Sequence, residues 1–198
     1  MKENPSLSES EASRLASSKW RQIERDGAKE FRCWLREDLG VVSFSSCNDD
    51  ILMWAHYGGG HNGVCIEFRC TDNRHIDFFS KIQEVSYAKQ LPKVNFYETN
   101  PVDKVKAFLL TKARPWRYEK EWRIIQDYAD QRPRFADLPT GIITAIYLGV
   151  KISSGNTTAI LDRVQANPTF KDVLIYQAGL HADKYELDFQ RCSGSKPE

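Results

Sequence analysis

The chain has 198 residues, 41% hydrophobic and 28% charged, with 28 Lys and Arg against 27 Asp and Glu. That length fits one domain with a short appendage, able to bury about 70% of the surface its unfolded form exposes. The 12% aromatic content argues against global disorder, and the formal charge of +1 excludes a strong uniform field for nucleic acid or an acidic membrane, though not a local patch.

Residues 8–39 carry helical spacing: Ala12, Leu15, Trp20, Ile23, Ala28, Phe31, Trp34 and Leu35 recur near every third and fourth position. Ser8 and Glu11 fit a capping box, Gly27 is a candidate break, and Gly40 is placed as a stop. A short extended run follows at 41–46. Asp49 or Asp50 can cap a short helix over 51–57, and three glycines, Gly58, Gly59 and Gly60, end it. Residues 63–69 alternate as a strand, and 81–87 is a second strand candidate. Pro101 suits the first turn of a helix over 101–113, which Pro115 ends. A strand is expected at 119–128. The nearly apolar run 141–150 reads as a central strand covered on both faces. A helix over 154–167 and strands at 173–177 and 185–189 complete the pattern. The expected fold is therefore α+β, with a mixed, mostly antiparallel sheet of about six to eight strands. The expected organisation is a helical N-terminal extension (1–40), the α+β domain (41–191) and a loose tail (192–198).

The five cysteines include no Cys-x-x-Cys pair and read as reduced thiols. With no basic flank and apolar stretch at the start, and no apolar run long enough to span a bilayer, the expectation is a cytoplasmic protein without a membrane span. Cys47, His56, His61 and Cys65 lack the tight knuckle spacing of structural zinc, so no metal is expected.

Four constellations can carry chemistry. On a strand, Glu119, Glu121 and Arg123 share one face, while Trp122 and Ile124 point the other way. Two adjacent carboxylates with a compensating arginine can stabilise a cation or move a proton; the plainer reading is a solvated face with one ion pair. Ser43 and Ser45 likewise share a face, as paired hydroxyls or as a plain edge strand. Met53, Trp54, His56 and Tyr57 run into the glycines. There His56 can shuttle a proton and Tyr57 can stack on a flat ring, or the large side chains are simply core. Last, Lys112, Arg114 and Arg117 interleave with Trp116 and Tyr118. That pattern suits phosphate and base stacking, or a helix C-terminus whose charges complement its dipole. The near-zero net charge favours the second reading.

The blocks Ser43-Phe44-Ser45, Met53-Trp54-Ala55-His56-Tyr57, 61–68, Tyr87, Lys112 and 116–123 together resemble a bacterial family catalogued as domain of unknown function 2971, from about Val41 to about Val150. A second, looser resemblance is to ADP-ribosyltransferases, whose Ser-x-Ser and Glu-x-Glu elements are similar to Ser43-Phe44-Ser45 and Glu119-Lys120-Glu121 in order. That resemblance implies NAD as co-substrate and a macromolecular acceptor, in a toxin or phage-defence setting. Glu121 would bind the ribose and stabilise the cation, and Glu119 would orient or deprotonate the acceptor. Ser43 would hold Glu121, and Tyr57 or Trp54 would stack on nicotinamide, with Ser45 and Arg123 beside the cofactor. The chain departs from the family pattern before Ser43, where a helical pattern offers only Arg32 and Arg36 as nearby bases. The rival expectations are a non-enzymatic sensing or binding module and a nuclease or hydrolase using His56, His61 and carboxylates.

Overall fold

The computed structural model describes residues 25–27, 29–31, 33, 37, 39–95, 101–127 and 137–192. In chain order it contains β1 (Leu39–Ser45), α1 (Ile51–His56), β2 (Val64–Phe68), α2 (Ile76–Ser80), β3 (Gln83–Glu84), β4 (Ser86–Ala88), α3 (Pro101–Leu109), β5 (Thr111–Ala113), β6 (Glu121–Asp127), β7 (Ile143–Leu148), α4 (Ser154–Ala166), β8 (Leu174–Leu180) and β9 (Leu187–Arg191). Short 3₁₀ helices occupy Asn73–His75, Arg114–Glu119 and Pro168–Phe170. The architecture is α+β, as the sequence pattern implies. Among the described residues the strands form three sheets instead of one, ordered β1-β6-β3, β2-β7-β8-β9 and β4-β5. The β4–β5 and β7–β8 pairs are parallel, and the other pairs are antiparallel.

The core follows from β7, an inner strand with apolar side chains on both faces. Ala145 and Tyr147 join Trp54, Ala178 and Leu187 on one side. Leu148 joins Ile175, Val173 and Val164 of α4 on the other. α4 makes the crossover between the parallel strands β7 and β8. Glu67 ties β2 to β7, accepting from the Tyr147 hydroxyl at 2.7 Å and the Thr144 hydroxyl at 2.5 Å.

α1 begins where Asp50 accepts from the amides of Leu52 and Met53 at 2.8 and 3.0 Å. Gly59 and Gly60 adopt φ of 58° and 61°, which closes the helix. The glycine-rich turn then lies against backbone. Gly149 donates to the Gly63 carbonyl at 3.0 Å, and Lys151 donates to the His61 carbonyl at 2.9 Å. A Cβ on Gly149 would stand 2.3 Å from that His61 oxygen. The close approach these glycines permit is chain to chain.

Several boundaries differ from expectation. The helical pattern does not reach Leu39: positions 25–27, 29–31, 33 and 37 are helical, but Leu39 and Gly40 open β1 opposite Asp127 and Gln126. Sheet pairing and burial of Leu39 outweigh its helical spacing. Phe31 meets Phe108 of α3 with ring centroids 5.7 Å apart. The proposed cap at Ser8 and Glu11, the positions Trp20 and Trp34, and the bases Arg32 and Arg36 lie outside the described residues. The run 81–87 divides at Val85, β3 pairing with β6 and β4 with β5. α3 stops at Leu109 because Thr111–Ala113 pairs with Ser86–Ala88. Cys192 is no loose end: its amide donates to the Ile175 carbonyl at 2.9 Å.

Candidate functional site

β6 is the inner strand of its sheet, with β1 on one side and β3 on the other. Its register sets Ser43 opposite Arg123 and Ser45 opposite Glu121, so hydroxyls of β1 and charges of β6 meet on one face. Glu119 reaches the same place by another route. The expected strand from 119 begins only at Glu121. Glu119 ends the 3₁₀ helix, and Lys120 turns the chain with φ of 44°. Alternation along a strand therefore does not unite the two carboxylates.

Lys112 unites them. From β5 its ammonium donates to Oε2 of Glu119 and, at 3.0 Å, to Oε2 of Glu121. It also lies 5.2 Å from the Trp116 ring centre. This overturns the reading of Lys112 as a helix C-terminal charge, because β5 replaces the last turn of that helix. Arg123 closes the other side of Glu121, with Nε 2.7 Å from Oε1 and Nη2 3.0 Å from Oε2. Its Nη1 donates to the Leu109 carbonyl. The Ser43 hydroxyl lies beside the Glu121 carboxylate and helps hold it ionised. The Tyr57 hydroxyl donates to Oε1 of Glu119 at 2.8 Å. The Glu121 amide donates to the Tyr87 hydroxyl at 2.8 Å.

Glu119 and Glu121 are 1% and 6% exposed, so such charges persist only because they are paired. Burial pushes the Glu121 carboxyl up, but Arg123, Ser43 and Lys112 outweigh it and hold it down at about 2. Burial lowers the Lys112 ammonium, and its bonds to Glu119 and Glu121 more than reverse this. The Glu119 carboxylate, then burial, raise the Tyr57 phenol above its ordinary 10. Two carboxylates, one ammonium and one guanidinium leave the cluster formally neutral. It holds an ionised carboxylate in one orientation beside a phenol and a second carboxylate, the equipment for stabilising a cation and accepting a proton.

The other sequence candidates divide. Ser45 lies one step back, donating to the Glu119 carbonyl at 2.7 Å and so bracing the turn. His56 is exposed among rings, 6.2 Å from Tyr57 and 6.0 Å from Trp116 between centroids. No hydrogen bond joins it to either carboxylate among the described residues. Trp54 lies in the core, its Nε1 donating to the Asn48 carbonyl at 2.6 Å; the ring bordering the carboxylates is Tyr57. Among the described residues no three His, Cys, Asp or Glu side chains gather as a metal-ligand set. Also among them, no helix is long and apolar enough to cross a membrane. Lys112 and Tyr87 were not among the site residues read from sequence. Both stand among the blocks of the family resemblance, and Lys112 stands also in the basic and aromatic stretch 112–118.

Residues 53–124 match the model of a family described as protein of unknown function (DUF2971). No curated protein and no solved structure matches the chain. Ser43 and Ser45 precede the matched segment and join the site by pairing with β6. The stretch that supplies Tyr57, Tyr87, Lys112, Glu119, Glu121 and Arg123 thus lies within the segment that matches this family's model.

Proposed function

We propose that the protein is an ADP-ribosyltransferase-like enzyme that moves ADP-ribose from NAD to a macromolecular acceptor. The observation that carries this reading is that Lys112 and Arg123 hold the buried Glu121 carboxylate in one cluster with Glu119 and Tyr57. In the reaction the bond from ribose C1′ to nicotinamide breaks, and its electron pair leaves with neutral nicotinamide. The acceptor's lone pair forms the new bond to C1′, and its proton passes to Glu119. The C1′ centre is cation-like at the transition state, and a carboxylate already ionised and fixed, Glu121, stabilises it without reorganising. Ser43, Arg123 and Lys112 orient that carboxylate, and the exposed ring of Tyr57 offers a face for nicotinamide.

The test is nicotinamide release from NAD by the purified full chain, with water as default acceptor. Release is expected, with Glu121→Gln lowering the rate at least about a hundredfold and Ser43→Ala about tenfold, sizes typical of lost electrostatic stabilisation. Ser43 is exposed, so its variant tests the role with folding preserved. A folded wild-type chain that neither releases nicotinamide nor binds NAD overturns the reading.

One observation favours a second reading, a non-enzymatic binding module. Each carboxylate oxygen of Glu119 and Glu121 already has a donor within the chain. On that reading the cluster is scaffolding, Glu121→Gln lowers stability alone, and NAD is not consumed.

A further inference from the structure

The 3₁₀ helix Arg114–Glu119 has six residues, longer than most of its kind. Three residues per turn make side chains three apart eclipse one another. One face is therefore Trp116 and Glu119, which enter the site just described. A second is Arg114 and Arg117, continued by Lys120 at the turn. All three basic residues are exposed, and none has an ion-pair or side-chain hydrogen-bond partner among the described residues.

Helix electrostatics favour Arg117 in the last turn and Lys120 at the C-cap but do not explain Arg114. Arg114 opens the helix, at the end where positive charge is disfavoured, and that end has neither an acidic residue nor a side-chain cap. Lys120 occupies a left-handed conformation that glycine would adopt at less cost. Asp50, whose charge reaches Tyr118, is held by the amides of α1. Next to the stripe, Trp116 is 38% exposed and the exposed His56 ring stands 6.0 Å from it. A row of unpaired cations beside exposed rings matches a chain of phosphates carrying unpaired bases. Bases already stacked in a duplex cannot use such rings.

We propose that the acceptor is single-stranded nucleic acid, held through its phosphates by Arg114, Arg117 and Lys120 and through its bases by Trp116 and His56. The role of acceptor rests on the transferase reading; the binding surface does not.

Fluorescence anisotropy tests it, using labelled single strands of about 16 nucleotides, polythymidine DNA and polyuridine RNA, and a duplex of equal length. The full chain is expected to bind the single strands more tightly than the duplex, with affinity falling steeply between about 50 and 200 mM salt. The double variant Arg114→Gln, Arg117→Gln should lower the salt slope by about 1.4, or about 0.7 per lost phosphate contact, and leave nicotinamide release unchanged. Lys120→Gly should weaken binding while raising the melting temperature, a pairing that a purely structural lysine would not produce. Equal binding of duplex, an unchanged salt slope in the double variant, or no binding at low salt overturns the surface. Salt-sensitive single-strand binding without nicotinamide release retains the surface and defeats the transferase reading; the converse result defeats the surface alone.

Discussion

The Tyr57 hydroxyl donates to Oε1 of Glu119 at 2.8 Å across 62 positions of sequence. This one bond ties the end of α1 to the turn before β6. It satisfies the oxygen of a buried carboxylate that Lys112 does not reach. Tyr57→Phe keeps a ring that is 63% exposed and loses little packing. It removes the donor, so a loss of about 1–3 kcal/mol in urea-unfolding stability is expected. An unchanged midpoint would show that water replaces the hydroxyl at no cost.

Glu121 makes stability depend on acidity in one direction. Its carboxyl is held at about 2, below the ordinary 4.5, so the folded state favours the ionised form. The resulting stabilisation, about 3 kcal/mol by linkage, is fully present above pH 4.5 and is lost as the pH falls toward 2. Denaturation curves between pH 6 and 2 should show this decline, with a shallower one in Glu121→Gln. Parallel declines in the two proteins would contradict it.

Lys112 compensates two carboxylates at once. Lys112→Met leaves both with one donor fewer inside the fold and should cost about 3–5 kcal/mol. Adding Glu119→Gln should recover part of that, because the uncompensated charge is then removed. A double-mutant cycle by chemical denaturation reads the coupling directly. Additive losses would mean that the ammonium and Glu119 do not share their energy.

Gly149 and Gly155 should respond in opposite directions to alanine. At Gly149 a Cβ meets backbone oxygens of His61 and Gly63 at 2.3 and 2.9 Å, which no side-chain movement relieves. Gly149→Ala should destabilise by several kcal/mol, roughly the scale of a forced core distortion. Gly155 opens into space in α4, and Gly155→Ala should stabilise by roughly 0.5–1 kcal/mol. Thermal unfolding of the two variants settles both signs.

Local chemistry decided by itself the α+β composition, the inner position of the apolar strand β7, the Asp50 cap and the glycine stop. Each follows from period, capping or backbone freedom within a few neighbouring residues. It also marked Ser43, Tyr57, Glu119, Glu121 and Arg123 as groups worth bringing together. Tertiary structure alone decided how they meet. Strand alternation accounts for Glu121 with Arg123, but Glu119 arrives from a 3₁₀ helix, and Lys112 from a strand that helical spacing had concealed. Trp54 and Tyr57, three residues apart, part company, one into the core and one onto a carboxylate. The physical reason is range. Propensity acts over a turn or two, whereas the pairing of β5 with β4 and of β1 with β6 joins residues dozens of positions apart, and the energy of those contacts outweighs local preference.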